Sequence, residues 1–240
     1  MKFAPIIYLI GMLLCILSLF MLIPALVDWF YGSRDWPAFI ASSLTTLIVG
    51  GTLFLSARGS ATEHLELRQA FLLTNSAWIS IALFGSLPFL FSEINMSITD
   101  AIFESTSGIT TTGATVIDTL DSTSHGILIW RALLQWLGGV GIIVMALAIL
   151  PMLSIGGMQL FKTESYETPD KVVPKAASFA AGISIVYITL TIAWAFMLWG
   201  AGMPIFDSVA HAMTTLATGG YSTKSSSLAA FNSSTIEIII

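Results

Sequence analysis

Two stretches decide how this chain folds: SITDAIFESTSGITTTGATV, residues 97–116, and MPIFDSVAHAMTTLATGGYST, residues 203–223. Each opens with a helix-start signal, Asp100 in the first and Pro204 with Asp207 in the second. Each continues for about three turns of moderately apolar helix. Each then becomes a run of Thr, Gly and Ala and finishes polar. A helix needs roughly 20 apolar residues to cross the hydrocarbon core of a bilayer, so neither segment is a span. A half-helix that enters from one face, followed by an extended return, accounts for the pattern. Irregular backbone at membrane depth is tolerated only where protein or a water-filled cavity surrounds it.

The two stretches overlay without a gap. Asp100 falls on Asp207, Thr111 on Thr218 and Gly113 on Gly220, so each position in the second lies 107 residues after its counterpart. The flanking apolar runs keep the same relation. Residues 70–91 go onto 176–199, and 127 onward goes roughly onto 231 onward. The chain therefore carries an internal repeat of span, half-helix, Thr/Gly strand and span. Expected domains are an N-terminal helix pair over 1–66, a first repeat over 67–151 and a second over 152–240, cut short in its last span.

Composition agrees. Of 240 residues, 55% are apolar and 10% charged, whereas soluble domains run near 25% charged. The net charge of -5 excludes the basic excess of a nucleic-acid binder. The sequence predicts an all-α polytopic membrane protein. Its spans are expected over 3–30, 36–55, 70–91, 127–150 and 176–199, with a sixth starting near Phe231. The first run is much longer than a signal-peptide core and no small-residue cleavage site closes it. The apolar end at Ile238, Ile239 and Ile240 looks like a truncation. The one cysteine, Cys15, sits in an apolar run and reads as packing.

Basic residues set the orientation. With Lys2 inside, Arg58, Arg68, Lys162, Lys171 and Lys175 also fall inside, while Arg34 and Lys224 fall outside. Six against two predicts a cytoplasmic N-terminus. Asp28, Asp35, Glu93, Asp100, Glu104, Asp118, Asp121 and Asp207 then gather on the outer side, where a negative field concentrates cations.

The half-segments carry the chemistry. A Thr/Gly strand offers successive carbonyls, and glycine permits the dihedrals that aim them inward. A ring of carbonyls can replace the water shell of an alkali cation. A half-helix entering from outside points its C-terminus, which carries partial negative charge, at the membrane centre. Gly138, Gly139 and Gly141 read as a close-packing face of the fourth span. Arg131, about one turn inside that span, needs an acidic partner, with Glu104 and Asp118 as candidates. Glu104 reads as a polar anchor on the first half-helix and His211 as a structural histidine on the second. His64 and His125 lie in polar loops. The polar loop 151–175, with Lys162, Glu164, Glu167, Asp170 and Lys171, is a cytoplasmic docking surface or a solvated linker.

These residues resemble the Trk/Ktr/HKT superfamily of potassium transporters, and look closest to the TrkH subunits of bacterial Trk systems. The resemblance covers essentially the whole chain. Its most specific parts are Phe103 to Val116, RALLQWLGGVGIIV (131–144), LSIGGMQLFKTES (153–165) and TTLATGGYST (214–223). It implies four span–pore helix–span repeats, of which two are present here. Carried over, Thr111, Thr112 and Gly113 form one quarter of a selectivity filter, and Thr218, Gly219 and Gly220 the next. Ala217 stands where the first copy has Thr110, so only a backbone role carries over there. The resemblance further implies potassium as substrate with no cofactor, a bacterial inner-membrane location and a homodimer. It also implies a cytosolic TrkA-type nucleotide-binding regulatory subunit. Two other classes are open: an intramembrane serine protease using Ser107 and His211, and a non-conducting structural subunit.

Overall fold

The computed structural model describes residues 3–60, 67–153 and 172–240. Lys2, His64 and most of the expected docking loop, including Lys162, Glu164, Glu167, Asp170 and Lys171, lie outside them. The described residues are all helix and loop. In chain order the helices are α1 (Ala4–Phe20), α2 (Leu22–Tyr31), α3 (Trp36–Ser56), α4 (Leu67–Gly85) and α5 (Leu87–Phe91). There follow α6 (Ile98–Ile109), α7 (His125–Leu153), α8 (Val172–Gly200), α9 (Ile205–Leu216) and α10 (Ser234–Ile239).

Five helical stretches among the described residues are long and apolar enough to cross a membrane: Ala4–Tyr31, Trp36–Ser56, Arg68–Phe91, His125–Ile143 and Ala181–Gly200. Two expected single spans are broken by proline. The first breaks at Met21, because Pro24 has no N–H for the Phe20 carbonyl. The third breaks at Ser86, where Pro88 does the same to Phe84. The fourth and fifth spans run longer than expected, to 125–153 and 172–200. The last helix does not begin near Phe231. A 3-10 turn occupies Ser227–Phe231, and α10 starts at Ser234 with the Ser233 hydroxyl accepting from the Ile236 amide.

Helix α7 is the structural axis. In its membrane-crossing part 61% of the residues are buried, against 17 to 33% in the other four. Its N-terminal half presents Ile127, Trp130, Leu133 and Leu134 to a core completed by Leu14, Leu17, Phe39 and Phe89. A second, smaller cluster under the second repeat joins Leu198, Met203, Ala212 and Ile236. The outer helices expose Leu26, Phe30, Ile48, Ile79, Ile185 and Phe196, as lipid-facing surfaces do. Within the N-terminal pair, Gly11 of α1 lies against the α3 backbone at Gly50 and Phe54, and Gly50 against Leu14. Small residues at that crossing let the two backbones approach.

Candidate functional site

The two short helices begin and end in register. Helices α6 and α9 are both 12 residues long and start 107 apart. Ser97 caps α6, its hydroxyl accepting from the Asp100 amide at 3.2 Å and donating to the Asp100 carboxylate at 2.7 Å. Pro204 takes the equivalent place before α9, its carbonyl accepting from Ser208 N–H at 2.8 Å as Ser97 does from Ala101.

Their C-termini close in the same motif. Thr112 N–H donates to the Ser107 carbonyl at 2.9 Å and Thr111 N–H to Gly108 at 3.0 Å. In the second copy Gly219 N–H donates to Thr214 at 2.8 Å and Thr218 N–H to Thr215 at 2.9 Å. This paired 6→1 and 5→2 pattern is a Schellman motif, which places the residue after the cap in the left-handed region. Thr111 has φ +57° and Thr218 φ +54°. A β-branched residue there is a genuine outlier, and such strain persists only where the surroundings over-determine it. Gly113 at φ +80° and Gly220 at +77° follow two residues later. Sequence reasoning looked to the glycines for this conformation. It missed that the threonines share it, because side-chain propensity argues against it.

Of the six expected filter residues, Gly113 and Gly219 meet across the two copies. Gly113 of the first copy packs against the Gly219 carbonyl of the second, so closely that an added Cβ would collide with it. Among the described residues no hydrogen bond engages the carbonyls of Thr111, Thr112, Gly113, Thr218 or Gly220. Gly219 differs: its carbonyl accepts from Gln135 Nε2 at 2.9 Å. Thr110 bonds through its hydroxyl to the Thr106 carbonyl and the Thr112 hydroxyl. Its counterpart Ala217 is buried against Gly139 instead.

Helix α7 holds both copies from behind. Gly138 lies on the Ile109 carbonyl at the end of α6, and Gly139 on Ala217 and the Tyr187 hydroxyl. Among the described residues, a Cβ added at Gly141 would meet only Trp78, at 4.0 Å. The expected acidic partner of Arg131 is Glu104: Nε donates to Oε1 at 2.7 Å, with exposures of 1% and 0%. Arg131 Nη1 also donates to the Ser222 carbonyl at 2.9 Å, and its guanidinium sits 4.0 Å over the Tyr221 ring. Glu104 accepts further from the Thr115 hydroxyl and the Val116 N–H. Tyr221 returns the link, its hydroxyl reaching the Glu104 and Ala114 carbonyls at 3.0 and 3.1 Å. Arg131 and Tyr221 thus tie the first copy to the second, and Gln135 ties α7 to the second. Gln135 and Tyr221 were not singled out from sequence; the position of Gln135 one turn after Arg131 on a glycine-bearing span was the available signal.

The geometry does not make a serine protease. Ser107 donates its hydroxyl to the Ala114 carbonyl at 2.6 Å. His211 spends both ring nitrogens on the Asp207 carbonyl and the Ser222 hydroxyl. It occupies the place of Glu104 and bonds to Ser222 where Glu104 bonds to Thr115, which makes it structural. His125 stacks on Tyr31 at 3.9 Å between centroids. The return loops also meet, Leu120 N–H donating to Ser225 Oγ at 3.1 Å. By the serine caps, Ser124 to Ile127 and Ser233 to Ile236, the spacing has grown from 107 to 109. The second copy therefore has a slightly longer return than the roughly overlaid spans implied.

The family described as "TrkH: Cation transport protein" matches residues 36–240. The Trk system potassium uptake protein TrkH of Salmonella typhimurium is 43% identical, over 100% of this chain and 50% of its own. The Trk system potassium uptake protein TrkI of Halomonas elongata is 40% identical, over 96% and 46%. The crystal structure of the potassium transporter TrkH from Vibrio parahaemolyticus superposes with a TM-score of 0.89 at 41% identity, covering 100% of this chain and 48% of that one. The chain spans about half the length of the curated relatives it matches.

Proposed function

This chain belongs to the TrkH cation transport protein family, and from that premise we propose that it supplies two of the four filter segments of a potassium uptake protein. One observation carries the reading. Two Schellman-terminated half-helices, in register, each lead into a segment with backbone carbonyls unengaged among the described residues, and the two segments meet at Gly113 and Gly219. Such carbonyls substitute for the hydration shell of an alkali cation. The helix C-termini behind them add partial negative charge. The names of the relatives, potassium uptake proteins, support potassium as the ion.

The ligands in this reading are the carbonyls of Thr111, Thr112, Gly113, Thr218 and Gly220, with Gly219 held by Gln135. Residues 1–66 form an accessory helix pair, 67–151 the first pore repeat and 152–240 the second. The protein sits in the bacterial inner membrane with its N-terminus cytoplasmic, by the six-to-two bias of basic residues. It pairs as a homodimer and docks a cytosolic TrkA-type nucleotide-binding subunit. The 240 residues alone do not conduct, because half a ring cannot enclose an ion.

Rubidium uptake into vesicles tests this. The full-length protein that carries this sequence takes up rubidium, while Thr111→Asp and Gly113→Asp lose uptake yet still insert. Unchanged flux in either variant, or conduction by the 240 residues alone, would refute the assignment.

A further inference from the structure

Gln135 is a fully buried amide on α7, aimed at the second strand and not at its own repeat. Both ends of its side chain are committed. Nε2 donates to the Gly219 carbonyl at 2.9 Å, and Oε1 accepts from the Tyr221 N–H at 3.1 Å. A planar amide that bonds residues i and i+2 of one strand behaves as a neighbouring strand would, and it fixes the peptide planes between them. The contact also explains a difference between the two copies. At the place where the first copy has Thr112, the second has Gly219, and a Cβ there would run into the Gln135 carboxamide. With the Gln135 carboxamide in this position, only glycine fits there. No donor among the described residues does the same to the Thr112 carbonyl, so the two strands are inequivalent at this level.

Resting on the filter reading above, we infer that Gln135 is a positioning residue that determines ion selectivity. It turns the Gly219 carbonyl toward α7 and leaves Thr112 as the ligand at that level. Arg131, one turn earlier, supports the same strand through the Ser222 carbonyl and the Tyr221 ring, which holds the Tyr221 N–H where Gln135 meets it. A carbonyl already bonded to a donor offers a weaker field to a cation, and a clamped peptide cannot rotate to follow a smaller ion. Loss of the clamp lets Gly219 rejoin the ring and relaxes discrimination against sodium.

The test uses the full-length protein in vesicles, with rubidium and sodium uptake measured side by side. In Gln135→Leu the rubidium-to-sodium ratio falls by about tenfold, as expected for losing two buried hydrogen bonds. Gly219→Ala alone also lowers the ratio, by displacing the carboxamide. In a Gln135→Ala background, where the space is open, Gly219→Ala adds less than it does alone. A wild-type ratio in Gln135→Leu, or strictly additive effects, overturns the inference. Failure of the wild-type protein to take up rubidium would instead sink the filter reading itself. Should Gln135→Leu fail to fold, a crystal structure of the wild-type protein in rubidium decides. The Gly219 oxygen is expected on Gln135 and outside the ion's coordination shell, and finding it within the shell refutes the proposal.

Discussion

Replacing Glu104 by Gln tests the brace behind the two strands. In the parent, Arg131 Nε lies 2.7 Å from Glu104 Oε1, and both side chains are almost completely out of solvent. The other oxygen accepts from the Thr115 hydroxyl and the Val116 N–H. Glu104 is thus surrounded by donors alone. Glutamine keeps the shape but turns one oxygen into a donor. In either orientation the new NH₂ faces Arg131 Nε or the Val116 N–H, and the guanidinium charge is left without a counter-charge. Removing one partner of a buried ion pair costs about 3–5 kcal/mol. At about 1–2 °C per kcal/mol for a protein about twice this length, the loss is roughly 5 °C in Tm. The assay is thermal unfolding of detergent-purified full-length protein, followed by tryptophan emission. Glu104→Gln combined with Arg131→Met removes both charges and recovers part of the loss, giving a non-additive cycle. A Tm within about 1 °C of the parent for Glu104→Gln, or additive effects in the cycle, refutes the argument.

Gly138→Val forces a branched side chain into the Ile109 carbonyl, which is backbone and cannot swing aside. Overpacking of this kind costs about 1–3 kcal/mol, read as a lower Tm and reduced yield of folded protein. Gly141→Ala, with only Trp78 among the described residues near the new Cβ, at 4.0 Å, leaves both unchanged. At the return loops, hydrogen bonding from Ser225 holds the Asp121 carboxyl below its ordinary value. A depressed folded-state pKa means that its small stabilising effect is present above the unfolded value of 3.8 and fades as pH falls through the folded one. Ser225→Ala removes the largest of the lowering contacts and shifts the Asp121 titration, followed by carboxyl-carbon NMR, upward toward its ordinary value, while the backbone N–H of residue 225 still donates. It also speeds hydrogen exchange at the Leu120 amide, which loses its acceptor.

Much of this molecule was legible in one dimension. The spans were, because a bilayer demands apolar runs of a minimum length. Their breaks at Met21 and Ser86 follow from Pro24 and Pro88, yet the apolar runs pass through both without a mark. The match of the two short helices and their closing turns was legible because Asp100, Thr111 and Gly113 recur at one spacing. That spacing drifts to 109 by the serine cap of the next helix, where a loop absorbs the difference and no pattern holds the register. The pairing of Arg131 was half legible: a buried charge announces that it needs a partner, and geometry chose Glu104 over Asp118.

The chain alone determined that two short helices, too short to be spans, hand over to Thr/Gly segments, since length and residue type settle that locally. Thr111 and Thr218 take a conformation their side chains disfavour, set by local Schellman bonds at helix ends against which α7 packs Gly138 and Gly139, and propensity did not announce it. Only packing decided which carbonyl is taken. Gln135 and Gly219 lie 84 residues apart, and the glycine there answers a side chain on another helix. Contacts across such distances follow from how α7 seats against both repeats, which no local pattern encodes.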